Sequence, residues 1–312
     1  MRGLALVVVA ALVLVGAPFV GPELEPQHES FVFWSLRVPR ALVGALVGAT
    51  LSLVGGVFQA LFANPLATPS TVGTTAGATL GALVGLVLLG TPSIGGLPTV
   101  ALSAFAGALA TSLLVASLAA TGRARIADVL LAGIAVTLAA SALSSGLQYA
   151  ADMQAVFASA QWSLGHLPQV GYRGVLLLLP FVLASSVVLL RHTRALQSMA
   201  ISDELAHAQG VPLGRVRAVA LGVGSLAVAA CVAWCGPIAF VGLIVPHLVR
   251  RVVGHAQRQL LPMCLVGGAA FLVACDTLAR WLIPGRELPV GVVTAAIGAP
   301  LLVLLVARSS RG

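Results

Sequence analysis

Four cysteines and six histidines are the residues that could bind a metal, and their spacing argues against a metal site. Cys231 and Cys235 are spaced to share a helix face, but no other Cys or His completes a zinc-ligand pattern with them. All four cysteines lie inside apolar segments, and no two histidines stand three or four residues apart: Cys231, Cys235, Cys264, Cys275; His28, His166, His192, His207, His247, His255. We therefore expect no metal in this chain and interpret the cysteines as small buried hydrophobic residues.

The basic residues exclude one way in which this chain could bind ATP. All 17 of them are arginine, and the sequence contains no lysine. A phosphate-binding P-loop needs a lysine after its glycines to reach the terminal phosphates. If ATP drives this protein, another subunit must bind it.

The composition places the chain in lipid. Hydrophobic residues make up 59% of the sequence, charged residues make up 8%, and the mean hydropathy is +1.06. A soluble domain carries roughly 25% charged residues. The net charge of +8 fits arginines at the ends of membrane segments better than a nucleic-acid surface, because such arginines mark topology. We expect a lipid bilayer and no nucleic acid among its partners.

Ten segments are apolar enough to be membrane spans, which need about 20 residues each. The first resembles a signal peptide, with Arg2, an apolar run and small residues at its end, but its apolar stretch is longer than a signal core, which favours a retained helix. The ten lie near residues 3–20, 41–62, 73–90, 98–120, 129–150, 174–190, 218–235, 238–253, 262–283 and 290–307.

The arginines predict the orientation of these spans. With the N-terminus inside, twelve arginines fall on the inner side and five on the outer side, as the positive-inside bias requires. Both termini are therefore expected in the cytoplasm. The outer five are Arg37, Arg40, Arg173, Arg280 and Arg286.

One inner loop, at about 195–217, is long and polar. Ser202 followed by Asp203 and Glu204 is typical of a helix N-terminus, where a hydroxyl caps the chain and acids face the positive dipole end. The sequence "SDELAHAQ" therefore predicts a short helix that ends before Gly210. Such a helix is either a docking element or a solvated connector.

Six stretches between about residue 33 and residue 300 carry a recognisable pattern: "RVPRALVGALVGATLSLVGGVFQALFANPLATPSTVG", "ADVLLAGIAV", "WSLGH", "GPIAFVGLIVPHLVRR", "GHAQRQLLP" and "DTLARWLIPGRELPVGVVTAAIGAP". Together they resemble the permease subunits of ABC importers for iron–siderophores, haem and cobalamin. The resemblance covers nearly the whole chain, and "FVGLIVPH" and "ELPVG" are among its specific motifs.

The resemblance implies an all-α integral membrane protein formed by one permease domain over residues 1–312. It implies about ten transmembrane helices in two inverted five-helix repeats, with a short cytoplasmic coupling helix. Two copies would form a homodimer in the bacterial inner membrane, with two ATP-binding-cassette ATPase subunits below and a periplasmic substrate-binding protein above. This chain would then be non-catalytic and would bind no cofactor, since the partner ATPase would use ATP and Mg²⁺.

The resemblance also assigns roles to the outer arginines. In the family, arginines at the places of Arg37, Arg40 and Arg280 receive acidic residues of the binding protein, which suits the planar guanidinium fork. The alternative is pairing within the chain, with Glu23, Glu25, Glu29 or Glu287.

The polar loop matches the family's coupling helix, which inserts into a groove of the ATPase. The residues concerned are Ser202, Asp203, Glu204, Ala206, Gly210, Pro212 and Leu213. The resemblance further implies a cytoplasmic gate at Ile126, Ala127 and Asp128, where the cobalamin member has small hydroxyl residues instead. For Asp128 the sequence favours a helix N-cap over a ligand contact.

His166 and Arg173 could contact the substrate near the outer face. The fifth span offers few polar side chains, which favours haem as the substrate, ahead of a ferric siderophore and then cobalamin. The competing class is an ion-coupled secondary transporter. That class usually keeps acidic residues in mid-membrane, whereas here only Asp276 lies within a predicted span, near its outer end.

Overall fold

The computed structural model describes residues 2–21, 30–89, 93–94, 97–120, 126–283 and 286–309, and these residues are almost entirely helical. The first six α-helices are α1 Arg2–Gly16, α2 Val38–Leu61, α3 Thr74–Val84, α4 Thr99–Ala120, α5 Ile126–Ala150 and α6 Met153–Ser163. The rest are α7 Arg173–Arg191, α8 Thr193–Met199, α9 Asp203–Ala208, α10 Leu213–Cys235, α11 Val241–Val253, α12 Gln257–Trp281 and α13 Val290–Ser309. The expected all-α class is confirmed.

Short irregular elements extend or connect these helices. A π-helical turn, Phe33–Arg37, leads into α2, and a second one, Gly85–Leu89, continues α3. 3-10 turns lie at Ala17–Phe19 and Pro69–Val72. A small antiparallel hairpin pairs Ser93 with Pro98 and Ile94 with Leu97.

Six described helices are long and apolar enough to cross a membrane: Ser30–Leu61, Thr99–Ala119, Ile126–Ala150, Arg173–Arg191, Leu213–Cys235 and Gln257–Trp281. Three shorter apolar helices lie at Gly3–Phe19, Thr74–Leu89 and Val290–Leu304. Together with α11, these helices overlap the ten predicted segments one by one. The inverted five-helix repeat and the single permease domain stay predictions.

The predicted span 238–253 needs a correction. Its helix, α11, begins only at Val241 and has 13 residues, which extend about 20 Å, less than the roughly 30 Å hydrocarbon core. Phe240 precedes it with a left-handed backbone, φ 67°, so the helix cannot extend toward the N-terminus. Gly298 makes room for the Phe240 ring, because a Cβ at Gly298 would collide with that ring.

The chain forms two compact units, and the first consists of Met1–Gly56, Leu164–Val182 and Ile238–Gly312. Within it α12 packs against α1, α11 and α13. Gly48 lies against Gly268, and Gly55 against Gly242, so closely that a Cβ at Gly48 or Gly55 would collide with the opposing carbonyl oxygen. Such backbone approach is how small residues join helices in lipid.

The second unit consists of Val57–Ser163 and Leu183–Pro237. Within it α3 packs against α4, α5 and α10. The α3–α4 contact combines close glycines with hydroxyl bonds: Thr74 and Ser112 join their hydroxyls at 2.7 Å, and the Thr111 hydroxyl donates to the Gly73 carbonyl at 3.1 Å. Interhelical bonds of this kind stabilise helix pairs where water is absent.

The four cysteines are buried, as their apolar surroundings indicated. Cys231 and Cys235 lie in α10, and Cys264 and Cys275 lie in α12. Their exposed fractions are 2% or less.

Candidate functional site

Arg40, in the first turn of α2, is buried and bonded to two carboxylates. Its Nε donates to both oxygens of Asp276 at 3.1 Å, and its Nη2 donates to Asp276 Oδ1 at 2.8 Å. Its Nη1 donates to Glu287 Oε2 at 2.6 Å. Arg40 is 6% exposed, and a buried guanidinium requires this pairing because desolvating an uncompensated charge is costly.

Arg280 shares Asp276 and holds the end of α1. Arg280 and Asp276 stand four residues apart on α12, with Nε and Oδ2 separated by 3.3 Å. Its terminal nitrogens donate to the carbonyls of Val20 at 3.0 Å and Ala17 at 3.2 Å. Those carbonyls belong to the turn after α1, where a helix end leaves acceptors without partners of its own.

All three arginines predicted to dock a binding protein are engaged within the chain. For Arg40 the structure shows the alternative of pairing with Glu287. Arg37 is half-buried, and its Nη1 donates to the Pro18 carbonyl at 3.5 Å. The other carboxylates considered, Glu23, Glu25 and Glu29, lie outside the described residues, and the docking role stays a prediction.

Sequence reasoning missed Asp276 as the partner of both arginines. Asp276 is 2% exposed and lies 236 residues from Arg40 along the chain. The available signal was its place as the acidic residue inside a predicted span, because an intramembrane acid requires a partner.

A cavity of about 280 Å³ opens beside Arg40. The Gln169 amide Nε2 donates to both Glu287 oxygens there, at 3.0 and 3.2 Å. His166 also lines it; this residue is exposed, but neighbouring atoms displace part of its hydration shell, and together with the positive charge of Arg40 they hold its pKa below the ordinary 6.5. The remaining walls are Leu167, Pro168, Leu288, Pro289 and Val290.

Of the two predicted substrate contacts, only His166 lines this cavity. Arg173 is exposed at the first position of α7. Substrate contact by either residue stays a prediction.

The predicted short helix in the polar loop is confirmed as α9, and Ser202 caps it. Ser202 has extended backbone angles, and its Oγ accepts a hydrogen bond from the Leu205 N–H at 3.1 Å. Asp203 and Glu204 follow in the first turn. The pKa of Glu204 lies below its ordinary 4.5, because its own backbone N–H and the Ser202 hydroxyl hydrogen-bond its carboxylate.

Gly210 ends α9 in a Schellman motif. The Gly210 N–H donates to the His207 carbonyl at 2.9 Å, and the Val211 N–H donates to the Ala206 carbonyl at 3.0 Å. The motif requires a left-handed residue at Gly210, whose φ is 76°. Pro212 comes two residues later and precedes α10, so both ends of α9 are fixed by the local sequence.

Side-chain bonds tie α9 to its neighbours in the same unit. Arg217 of α10 is 5% exposed and donates to Asp203 Oδ2 at 2.5 Å. The Ser198 hydroxyl, in α8, donates to the Gln209 side-chain oxygen. The short helix is therefore held on both sides.

The seven predicted coupling residues lie together in this segment, but they do not share one face. Ala206 is 0% exposed, so its small size serves packing inside the chain, and its role in coupling to a partner stays a prediction. Leu213 is half-buried at the start of α10. The exposed residues of the segment are Glu204, His207, Ala208, Gln209, Gly210 and Pro212.

The predicted gate residues, Ile126, Ala127 and Asp128, form the first turn of α5. Asp128 lies inside that turn, so the N-cap interpretation is wrong, although an acid there still faces the positive end of the helix dipole. Ala127 and Asp128 are exposed and Ile126 is half-buried. Their role as a gate stays a prediction.

Potential metal ligands are dispersed in the described part of the chain. No group of three or more His, Cys, Asp or Glu residues lies together among those residues.

These helices define a multi-pass, all-α membrane protein that carries a capped helix in a polar loop. The chain belongs to the FecCD transport family, whose family model matches residues 4–308. It is similar over 98% of both chains to a solved ABC transporter assigned to the metal-chelate type, in an inward-facing conformation, with a TM-score of 0.88 and 30% identity.

The curated relatives are named for different transported substrates. The hemin transport system permease protein of Yersinia pestis is 36% identical over 66% of this chain and 61% of its own length. The cobalamin import system permease of Halobacterium salinarum is 40% identical over 65% of this chain and 54% of its own length. The vitamin B12 import system permease of Serratia proteamaculans is 41% identical over 71% of this chain and 66% of its own length. The match thus spans less than two thirds of the first two relatives.

Proposed function

We propose that this chain is the membrane-spanning subunit of an ATP-binding-cassette importer that moves an iron chelate, haem or a corrin from periplasm to cytoplasm. The match to the family over residues 4–308 carries the proposal. The likeness to a metal-chelate type ABC transporter over 98% of the chain supports it. This non-catalytic chain translocates the substrate, and a partner subunit hydrolyses ATP.

The proposed ATPase partner docks at the exposed face of α9. This face is exposed, and the helix that carries it is capped at both ends, which suits insertion into a groove of another protein. A periplasmic binding protein docks at the opposite side of the membrane, near Arg37 and Arg40. The chain lies in the inner membrane with both termini in the cytoplasm, as the twelve-to-five distribution of arginines favours.

A second copy of the chain completes the proposed transporter. Large apolar side chains on α5 remain uncovered: Leu131 is 64% exposed, Ile134 is 53% exposed and Leu138 is 65% exposed. They recur at helical spacing and therefore form one stripe. We propose that this stripe lines the substrate pathway between the two copies. The mass of the purified complex measures whether two copies are present.

Haem is the proposed substrate. The relatives are named for different cargoes, so the proposal rests on α5 rather than on their names. The Leu131, Ile134 and Leu138 stripe suits a flat, largely apolar ligand better than a hydroxamate chelate.

Asp276 supports an ATP-driven class over an ion-coupled one. A coupling-ion site needs a carboxylate that can exchange its ion, but Asp276 is buried against Arg40 and Arg280. The energy source is therefore proposed to lie outside this chain.

The test is uptake into proteoliposomes that contain this chain and its cognate ATPase, with the cognate binding protein outside. ATP-dependent accumulation of haem, above that of ferric siderophores and cobalamin, is the expected result. Preference for another chelate would overturn the haem proposal alone. Uptake driven by an ion gradient without ATP would overturn the importer class.

A further inference from the structure

The nitrogens of Arg40 are divided between two unlike carboxylates. Nε and Nη2 both bond to Asp276, whose side chain is 3% exposed. Nη1 bonds to Glu287, whose side chain is 51% exposed. The contact with Asp276 is a buried, bidentate ion pair, which is the strong kind. The contact with Glu287 has one exposed partner and is therefore weaker.

A second hydrogen-bond donor faces the Glu287 carboxylate, so the position that this carboxylate occupies is a carboxylate-binding site. The Gln169 amide donates to both Glu287 oxygens from the other side. Arg40 Nη1 and Gln169 Nε2 thus converge on one carboxylate at the mouth of the cavity. Both donors would lose their bonds if Glu287 left without replacement.

The local charge balance favours an anion at this point. Arg40 and Arg280 contribute two positive charges, and Asp276 contributes one negative charge to the buried part of the cluster. Glu287 supplies the balancing charge from the exposed side. Without it, a buried net positive charge would remain, which is costly unless another anion is bound.

We propose that Glu287 is an exchangeable occupant of a carboxylate-binding pocket formed by Arg40 and Gln169, and that an acidic side chain of the docking partner takes its place. Glu287 then holds the pocket closed in the unbound chain and competes with the partner. The identity of that partner, a periplasmic binding protein, rests on the proposed function, whereas the pocket itself does not.

The pocket is tested with acetate as the probe. Glu287→Ala should leave both donors without an acceptor, so sodium acetate should raise its thermal unfolding temperature in a saturable way, relative to sodium chloride at equal ionic strength. Wild type, whose pocket is filled, and Glu204→Ala, which removes an exposed acid outside this unit, should respond to the two salts alike. An equal response to acetate in all three proteins would overturn the proposal.

The exchange is tested by affinity for the cognate binding protein. Glu287→Gln keeps the shape of the side chain but removes the competing charge, so binding should tighten by up to about fivefold. Glu204→Gln should bind as wild type does. Unchanged or weaker binding to Glu287→Gln would overturn the exchange. Failure of wild type to bind any periplasmic protein would instead count against the proposed function, while the acetate result would still decide the pocket.

Discussion

Gly210 shows how one residue can fix the shape of the proposed docking surface. Its left-handed backbone, φ 76°, lets the Val211 N–H turn back to the Ala206 carbonyl. Nothing lies within 4 Å of the place where a Cβ would stand. The requirement for glycine is therefore conformational and does not come from crowding.

Gly210→Ala should loosen the end of α9 without unfolding the protein. A left-handed alanine costs about 1 kcal/mol, so amide exchange at residues 206–211 should speed up about fivefold if α9 opens locally. Gly222→Ala is the matched control, because Gly222 lies inside α10, has equal space for a Cβ and has no positive φ. Equal exchange in the two variants would show that the Schellman motif does not hold α9.

His166 should make the protein less stable in mild acid. Partial loss of hydration and the charge of Arg40 hold the pKa of His166 below 6.5 in the folded chain. The unfolded state therefore binds the proton more readily, and stability is lost as the pH falls from 6.5 towards the depressed pKa. The unfolding temperature of wild type should fall relative to His166→Gln as the pH drops below 6.5. Parallel pH profiles of the two proteins would contradict this.

At the scale of elements, α9 depends on its attachment to α10. A helix of six residues is too short to be stable alone in water. The Asp203–Arg217 bond and the buried Ala206 supply the tertiary contacts that it needs. We therefore expect a movement of α9 to displace the N-terminal part of α10, which carries Arg217.

Asp203→Asn should weaken this attachment by about 2 kcal/mol, because it leaves Arg217 buried with a weaker partner. Asp203 is partly exposed, so the cost stays below that of breaking a fully buried ion pair. A double-mutant cycle with Arg217→Met, followed by thermal unfolding, should give a coupling energy of about 1–3 kcal/mol. In the reconstituted importer, ATP hydrolysis should persist while uptake falls. Asp152→Asn, at an exposed acid outside the polar loop, should leave both unchanged. Additive effects of the two substitutions would show that the bond does not matter.

At the scale of the whole molecule, close backbone contacts at glycines hold helices together within each unit. Gly48 meets Gly268 in the first unit, and Gly77 meets Gly107 in the second. Lipid removes the hydrophobic drive for helices to associate, so such packing carries much of the stability.

Gly48→Ala should therefore destabilise the protein by about 1–3 kcal/mol, as overpacking does, and by more if α2 and α12 cannot separate. Gly146→Ala is the matched control in α5, where a Cβ would meet nothing within 4 Å. The unfolding temperature in detergent should fall for the first variant and not for the second. A stable Gly48→Ala protein would show that the α2–α12 contact is looser than described.

The features that the sequence predicted correctly are local ones. The apolar segments identified the helices because lipid requires long apolar runs, and the Ser202 and Gly210 signals identified α9 because caps are formed by neighbouring residues. The missed features depend on distant residues. The Arg40–Asp276 bond joins residues far apart in the chain, the late start of α11 depends on the left-handed Phe240, and the inward face of Ala206 depends on packing.

The burial of all four cysteines has a practical consequence for experiments on this protein. Each is 2% exposed or less, so a bulky maleimide has little access to any native thiol while the chain stays folded. A single cysteine introduced at exposed Ala208 or Gln169 should therefore be the main reactive thiol, with no need to remove the native ones. An impermeant reagent added to intact cells would then report directly which side of the membrane each position faces.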